Sequence, residues 1–478
     1  MVVRILFATL LTAAFSARAE TVVPTSAVES LNVTVYNNGL GLVKDARAVD
    51  FSKGINTLSF TGVAAKIQPE TALFVADGAS VREQNFNYDL ISRRSLLRKF
   101  LGKKIQVVST NPATGEEKTE SAEILSVDEG LVLKIGDRIE TDSKARLIFP
   151  DIPANLRDKP TLSLEIASDK AGKRTATLGY LTDGLNWRTD YVAELNDAEN
   201  AADLNGWITM TNESGTDYEN ADVQFVAGSV NRVRPQRRTR SFDGVKMMAM
   251  NKAADLDEAV TEEQLMDYHL YSLGRKTTIL SKQTKQLSLL SAPAVKVEKK
   301  YVFENIVPPY GALYDGVFGT RSAAVRLTFK NDKASNLGLP LPEGVLRVYK
   351  ADSKGRIFFV GEDRIRHTPE NETVKLSLGE AFDITAEGRR TDFKRNAATE
   401  MNSRLQPVAK ADSTFVLTFK NAKTTPATVE YVQLFPDSRE LVSASAKERT
   451  DGKRKIWLVT VPAKGEATLT LTIRSEHK

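Results

Sequence analysis

Apolar and polar residues alternate with a period of two along most of this chain, the spacing of strands with one covered face. The stretch LNVTVYNNGLGLVKDARAVDF (Leu31–Phe51) sets the type. Val33 and Val35 alternate with polar neighbours, Asn37-Asn38-Gly39 supplies a turn from residues that tolerate positive φ, and a second alternating run follows. INTLSF and TALFVADGASVREQNF continue the pattern, with Asp77-Gly78 as a hairpin signal. From Lys103 to Phe149 five short alternating runs separated by polar turns predict a small SH3-like β-barrel near residues 102–150. PDIPANLRDKP (Pro150–Pro160) then interrupts the chain with prolines and marks a domain boundary.

One segment in this half has helical spacing. In SRRSLLRKFLG (Ser92–Gly102), Leu96, Leu97, Phe100 and Leu101 fall on one face, Ser92 can cap the start, and Gly102 sits just past the end. Arg93, Arg94, Arg98 and Lys99 occupy the other face. Such a helix closes the end of a β-barrel and shows its charges to water, or it lies on an anionic membrane; the first reading is preferred because so short a helix buries little.

The strands lengthen after residue 161. LTDGLNWRTDYVAEL (Leu181–Leu195) places Trp187 and Tyr191 in one arm, and NGWITMTNESGTDYENADVQFVAGSV follows, with Trp207. Between Arg232 and Asp267 the periodicity collapses, which predicts a mobile surface loop over 232–267. Thr261 and Gln264 have capping-box spacing, so one short acidic helix is expected there. A second polar stretch bridges residues 386–410, and STFVLTFKN, ATVEYVQLF, KIWLVTVP and EATLTLTI predict four strands in a last unit over 411–478.

LTFKN occurs at Leu327–Asn331 and again at Leu417–Asn421, with a looser form, ITMTN, at Ile208–Asn212. Each copy reads as a strand end with apolar residues inward and an Asn at the turn, whose side chain accepts from a backbone amide two residues on and which tolerates left-handed φ. Three such units predict successive immunoglobulin-like β-sandwiches. The fold expected is therefore mainly β and multi-domain, with few short helices: an N-terminal β domain (20–150), a β-sandwich region (151–385), a linker (386–410) and a C-terminal β-sandwich unit (411–478).

The first nineteen residues have the layout of a secretory signal peptide: MVVR, then a thirteen-residue apolar run, then small residues at Ala17 and Ala19. The run is too short to span a bilayer as a helix, and no later segment reaches that length, so no transmembrane segment is expected. Cleavage after Ala19 would make the mature chain periplasmic or secreted. There is no cysteine, which excludes disulfides, thiolate metal sites and thiol catalysis, and which favours a bacterial cell-envelope protein. A net charge of +5 from 66 basic and 61 acidic residues is near balance, so nucleic-acid binding is not indicated.

Candidate chemistry is sparse. His269, His367 and His477 are the only histidines. Glu362, Asp363 and Glu370 lie near His367, but alternation points them to both faces, so no metal is expected. Phosphate-loop, nucleophile-elbow and zinc-helix motifs are absent from the sequence, and no cofactor or catalytic residue is assigned. RVRPQRRTR (Arg232–Arg240) gathers Arg232, Arg234, Arg237, Arg238 and Arg240 into a basic run that is either a solvated loop or a surface for an anionic partner. Two functions follow. The first is a non-enzymatic scaffold that binds an envelope protein or an anionic polymer. The second is a carbohydrate-active hydrolase whose carboxylates come from distant strands, with Trp187, Tyr191 and Trp207 lining a sugar cleft.

Five segments in order resemble one family: LGYLTDGLNWRTDYVAEL, TNESGTDYENADVQFVAG, YSLGRKTTILSKQTKQLSLL, LGLPLPEGVLRVYKAD and VGEDRIRHTPENETVKLSLGEAFDITAEGRRTDF look like the DUF4139 domain family, whose mucoidy-inhibitor relatives share that part. NVTVYNNGLGLVKDARAVDF is similar to what precedes the domain in envelope proteins, so the likeness runs over about residues 30–475. The chain departs from the mucoidy inhibitors in carrying the small barrel instead of a long heptad-like helix. The resemblance implies a β-rich exported protein, and it brings no catalytic residues with it.

Overall fold

The computed structural model describes residues 20–128, 130–141, 143, 145–153, 156–228, 261–265, 268–309, 316–396, 400–401 and 407–477. The expected leader (1–19) and the expected loop (232–267, apart from Thr261–Leu265) lie outside them. The described chain is mainly β, with one α-helix, Arg93–Lys99. No helix among the described residues is long and apolar enough to cross a membrane. The described residues form two compact units, one within Met1–Trp187, Met210–Ala253 and Glu263–Lys285, the other within Arg188–Thr209, Ala254–Glu262 and Gln286–Lys478.

In the first unit a four-stranded sheet runs in the order Thr21–Val23, Gly54–Thr61, Thr161–Ser168, Ala79–Asn87. An eight-stranded sheet is built around Val28–Tyr36, Leu40–Phe51 and Gly172–Asp183. Alternation produces the core: Val33, Val35, Val43, Leu58, Phe60, Leu164 and Leu178 are all fully buried. Arg47, on the second of these sheets, crosses to the first and donates to the carbonyls of Val23 (2.7 Å) and Thr61 (2.9 Å). It also pairs with Asp45 at 2.6 Å.

The small sheet over 104–148 has the order Arg138–Thr141, Val132–Ile135, Glu117–Ser126, Lys104–Thr110, Arg146–Ile148. It is open: its two edge strands are not paired with each other among the described residues. The helix covers one face, with Leu96, Leu97 and Phe100 against Ile105, Ile124 and Leu133. Ser92 caps it, its Oγ accepting from the Ser95 amide at 3.1 Å. Leu101, expected on the buried face, is exposed because the helix ends at Lys99. A further correction concerns Thr261–Leu265: the capping-box spacing predicts a helix, and the residues form a strand beside Tyr268–Ser272. One helical turn cannot match the backbone hydrogen bonds that a sheet edge offers.

In the second unit Gly316–Lys330, Thr373–Arg395, Pro407–Asn421, Gly465–His477 and Arg439–Ala444 are consecutive neighbours in one sheet. Ala427–Leu434 pairs with Arg454–Val461 and, in parallel, with Tyr301–Glu304. Phe415, Leu417, Phe419, Tyr431, Trp457 and Leu471 share the core between these strands. The strand Thr373–Arg395 runs into the polar stretch beginning at residue 386.

All three Asn residues of the repeated strand end are buried. Asn331 donates to the carbonyls of Leu339, Thr368 and Pro369 at 2.8–3.2 Å and accepts from the Gly338 amide. Asn421 donates to Thr425, Val461 and Pro462 carbonyls and accepts from Lys423 N. Asn212 donates to Thr216 and Ile279 carbonyls and accepts from Ser214 N. None of the three has positive φ, so their use is as hydrogen-bonding clasps and not as left-handed turn residues.

Glu199 sits between Lys299 (2.6 Å) and Lys350 (2.7 Å). Burial works to raise its pKa, but the two lysines outweigh it and hold the carboxyl below its ordinary value. A depressed folded pKa stabilises above the unfolded value, about 4.3, and the contribution is lost as pH falls through the folded value. We expect the second unit to lose stability in that acid window, and Glu199→Gln to flatten the dependence, as read by urea midpoints across pH; an unchanged slope would remove Glu199 as its source.

Candidate functional site: a polar cavity at three turns

Three turns of the first unit meet around a cavity of about 370 Å³. The first is Asn37-Asn38-Gly39, between the strands Val28–Tyr36 and Leu40–Phe51. The second is Gly184, between Gly172–Asp183 and the strand beginning at Leu185. The third is the Thr211–Glu213 segment. Backbone hydrogen bonds lock them together: Gly184 N donates to Gly39 O (3.0 Å), and Glu213 N donates to Gly184 O (2.7 Å). Gly39 and Gly184 have φ of 82° and 89°. At Gly184 a Cβ would also lie 2.7 Å from the Glu213 carbonyl, so only glycine allows this approach.

Apart from the two glycines, every lining residue carries a polar side chain. They are Asn37, Asn38 and Asn186, Thr211, whose hydroxyl lies 3.3 Å from that of Thr284, and Glu213. Carboxamides donate and accept, so this wall suits a ligand rich in hydroxyls or peptide groups. The Glu213 carboxylate is largely exposed, with Lys66 Nζ at 3.9 Å. Behind it lies a buried network that fixes the backbone: Ser214 Oγ donates to Asn212 Oδ1 (2.7 Å) and accepts from Tyr218 Oη (2.9 Å). Burial pushes the Tyr218 phenol well above its ordinary pKa, keeping it a neutral donor.

The residues singled out from the sequence do not assemble here. Trp187 is buried against Phe225 and Tyr271, and its Nε1 donates to Val226 O at 3.3 Å. Tyr191 is buried, its hydroxyl donating to Pro342 O at 2.8 Å. Both are core side chains with a satisfied polar tip, so neither lines a sugar cleft. Trp207, 39% exposed, is the one of the three that reaches solvent. Arg232, Arg234, Arg237, Arg238 and Arg240 lie outside the described residues. His367 accepts from Glu343 N through Nδ1, Glu362 pairs with Arg347, and Asp363 accepts from Ser377 N. Each is engaged separately. His269 is half-buried in the strand Tyr268–Ser272, and His477 ends the last strand.

The cavity residues were legible only as turns. NNG, DGLN and TNESG each carry turn chemistry. Their convergence depends on pairings between segments far apart in the chain. No family model matches this chain, and no curated protein matches it.

Proposed function

We propose that this chain is an exported bacterial envelope protein, akin to the DUF4139 domain family, and that it acts as a non-enzymatic scaffold. Its periplasmic or secreted location rests on the leader-like first nineteen residues. The shared core beneath Pro407–Asn421 and Ala427–Leu434 supports an immunoglobulin-like sandwich in the second unit. The helix-covered sheet over 104–148 supports an SH3-like module.

The observation that carries the binding role is the cavity wall. It offers three carboxamides and a hydroxyl with a single carboxylate. Glycoside hydrolysis uses two facing carboxyl groups, whereas non-covalent capture of a hydroxylated polymer or a peptide segment needs only donors and acceptors held in place. The partner is therefore an envelope polymer or an envelope protein, held by hydrogen bonds. Titration with envelope polysaccharide and with envelope protein extract, read by calorimetry, tests this. Asn186→Ala with Glu213→Ala is expected to weaken binding about tenfold or more, at about 1 kcal/mol per lost hydrogen bond. Unchanged affinity, or turnover of the polymer, would reject the reading.

A further inference from the structure

The helix Arg93–Lys99 uses its apolar face on the small sheet, and its outer face is a separate feature of the first unit. Ser92–Lys104 carries six cations (Arg93, Arg94, Arg98, Lys99, Lys103, Lys104) and no acidic residue. Some are engaged: Lys99 pairs with Asp89 at 3.1 Å, and Lys103 Nζ lies over the Phe100 ring. Arg93, Arg94 and Arg98 are exposed, and among the described residues none of them has an ion-pair partner. Asp128 is exposed beside Val127 in the chain and makes no ion pair with them. Arg94 and Arg98 are one turn apart, a like-charge spacing that disfavours the helix unless an anion lies between them.

These three arginines border a recess of about 240 Å³ whose remaining lining is Leu97 and Val127. Exposed apolar side chains flank it in the chain, Tyr88 and Ile91 before the helix and Leu101 after it, with Leu125 next to Ile124, the bridge partner of Leu101. The helix is anchored at its start by the Ser92 cap and by Ser95 Oγ donating to Leu90 O at 2.6 Å.

We propose that this face docks onto an anionic membrane leaflet, with lipid phosphates seated among Arg93, Arg94 and Arg98 and Leu97 and Val127 meeting the carbon skeleton next to the phosphate. Charge complementarity identifies the occupant: unpaired guanidinium groups match phosphate oxygens in a forked geometry, and an aliphatic floor suits an amphiphile better than a free ion. The helix does not insert, because its apolar face is already covered. Attachment is therefore at headgroup level and salt-sensitive.

Flotation of the purified protein with vesicles tests this. Binding is expected to vesicles of phosphatidylcholine with phosphatidylglycerol and not to phosphatidylcholine alone. Each Arg→Ala change is expected to weaken it about fivefold, and R93A/R94A/R98A about a hundredfold. The triple lysine variant, which keeps the charge but not the fork, should bind more weakly than the parent and more tightly than the triple alanine variant. Raising salt from about 0.1 to about 1 M, which shortens the screening length from about 10 to about 3 Å, should release the protein. The cavity variant Asn186→Ala/Glu213→Ala should bind vesicles normally. Equal binding to neutral vesicles, single and triple variants that bind like the parent, or full displacement by inorganic phosphate at constant ionic strength would each overturn the proposal, the last by identifying a free-phosphate site.

Discussion

Arg47→Ala is expected to destabilise the first unit by about 3–5 kcal/mol, the cost of stranding one partner of a buried ion pair. Arg47 and Asp45 are 1% and 4% exposed. The guanidinium makes a forked contact, Nε to the carboxylate at 3.1 Å and a terminal nitrogen to Oδ2 at 2.6 Å, while the other nitrogen donates to the Val23 and Thr61 carbonyls. Removing it leaves a buried carboxylate, the buried Val23 carbonyl and the partly buried Thr61 carbonyl without that donor. Arg47→Lys keeps the charge but not the fork, so an intermediate loss is expected. Asp45→Ala/Arg47→Ala should cost less than the sum of the single changes, because no uncompensated charge remains. Trp187 is the natural reporter, being buried in the same unit. Urea unfolding of a variant that keeps Trp187 as its sole tryptophan measures all three. A loss below about 1 kcal/mol for Arg47→Ala would reject a structural role for the pair.

Asn331→Asp is expected to be the most damaging change in the second unit, costing about 3 kcal/mol or more. It replaces an NH₂ that faces three carbonyl oxygens with a carboxylate oxygen. Asn331→Ala should cost about 2–3 kcal/mol, since it orphans acceptors without adding a buried charge. The two variants separate by pH. A carboxyl facing carbonyls has its folded pKa raised, so its proton is bound more tightly when folded. The Asp variant should therefore recover stability as pH falls below its folded pKa and lose it as pH rises, while the Ala variant shows no such recovery. Trp457, buried in this unit, reports the transition. Asn421→Asp should behave alike, because its amide has the same three-carbonyl environment. A pH-independent loss in the Asp variants would reject the clasp.

Much of the architecture was legible from local chemistry. The paired inward residues Leu327 with Phe329, and Leu417 with Phe419, are buried where alternation places them, and Ser92 caps the helix as its position before the apolar run indicates. The sequence logic failed where strand pairing or the end of an element overrode the local spacing. Thr261–Leu265 has helix-cap spacing and a helix-favouring composition, and pairing with the neighbouring strand Tyr268–Ser272 overrode both. Leu101 has the right spacing for the buried face, but the helix had already ended.

The candidate sites divide along the same line. Trp187, Tyr191 and Trp207 look equivalent in the sequence, each in an alternating strand. The first two are covered and the third is 39% exposed. Likewise the charges of Arg93, Arg94 and Arg98 are visible in the sequence, but that they have no ion-pair partner among the described residues, beside a recess floored by Leu97 and Val127, is visible only in the fold.

The sequence by itself determined strand periodicity, turn positions, the Asn at each repeated strand end and the cationic helix face, because these follow from Cβ direction and backbone preferences within a few residues. Only the tertiary structure decided which faces are covered, which carbonyls the Asn amides clasp and how turns distant in the chain close one polar cavity. Those outcomes depend on contacts between residues far apart in sequence, whose free energy comes from burial and from satisfying backbone polar groups, and no local pattern encodes which partner supplies them.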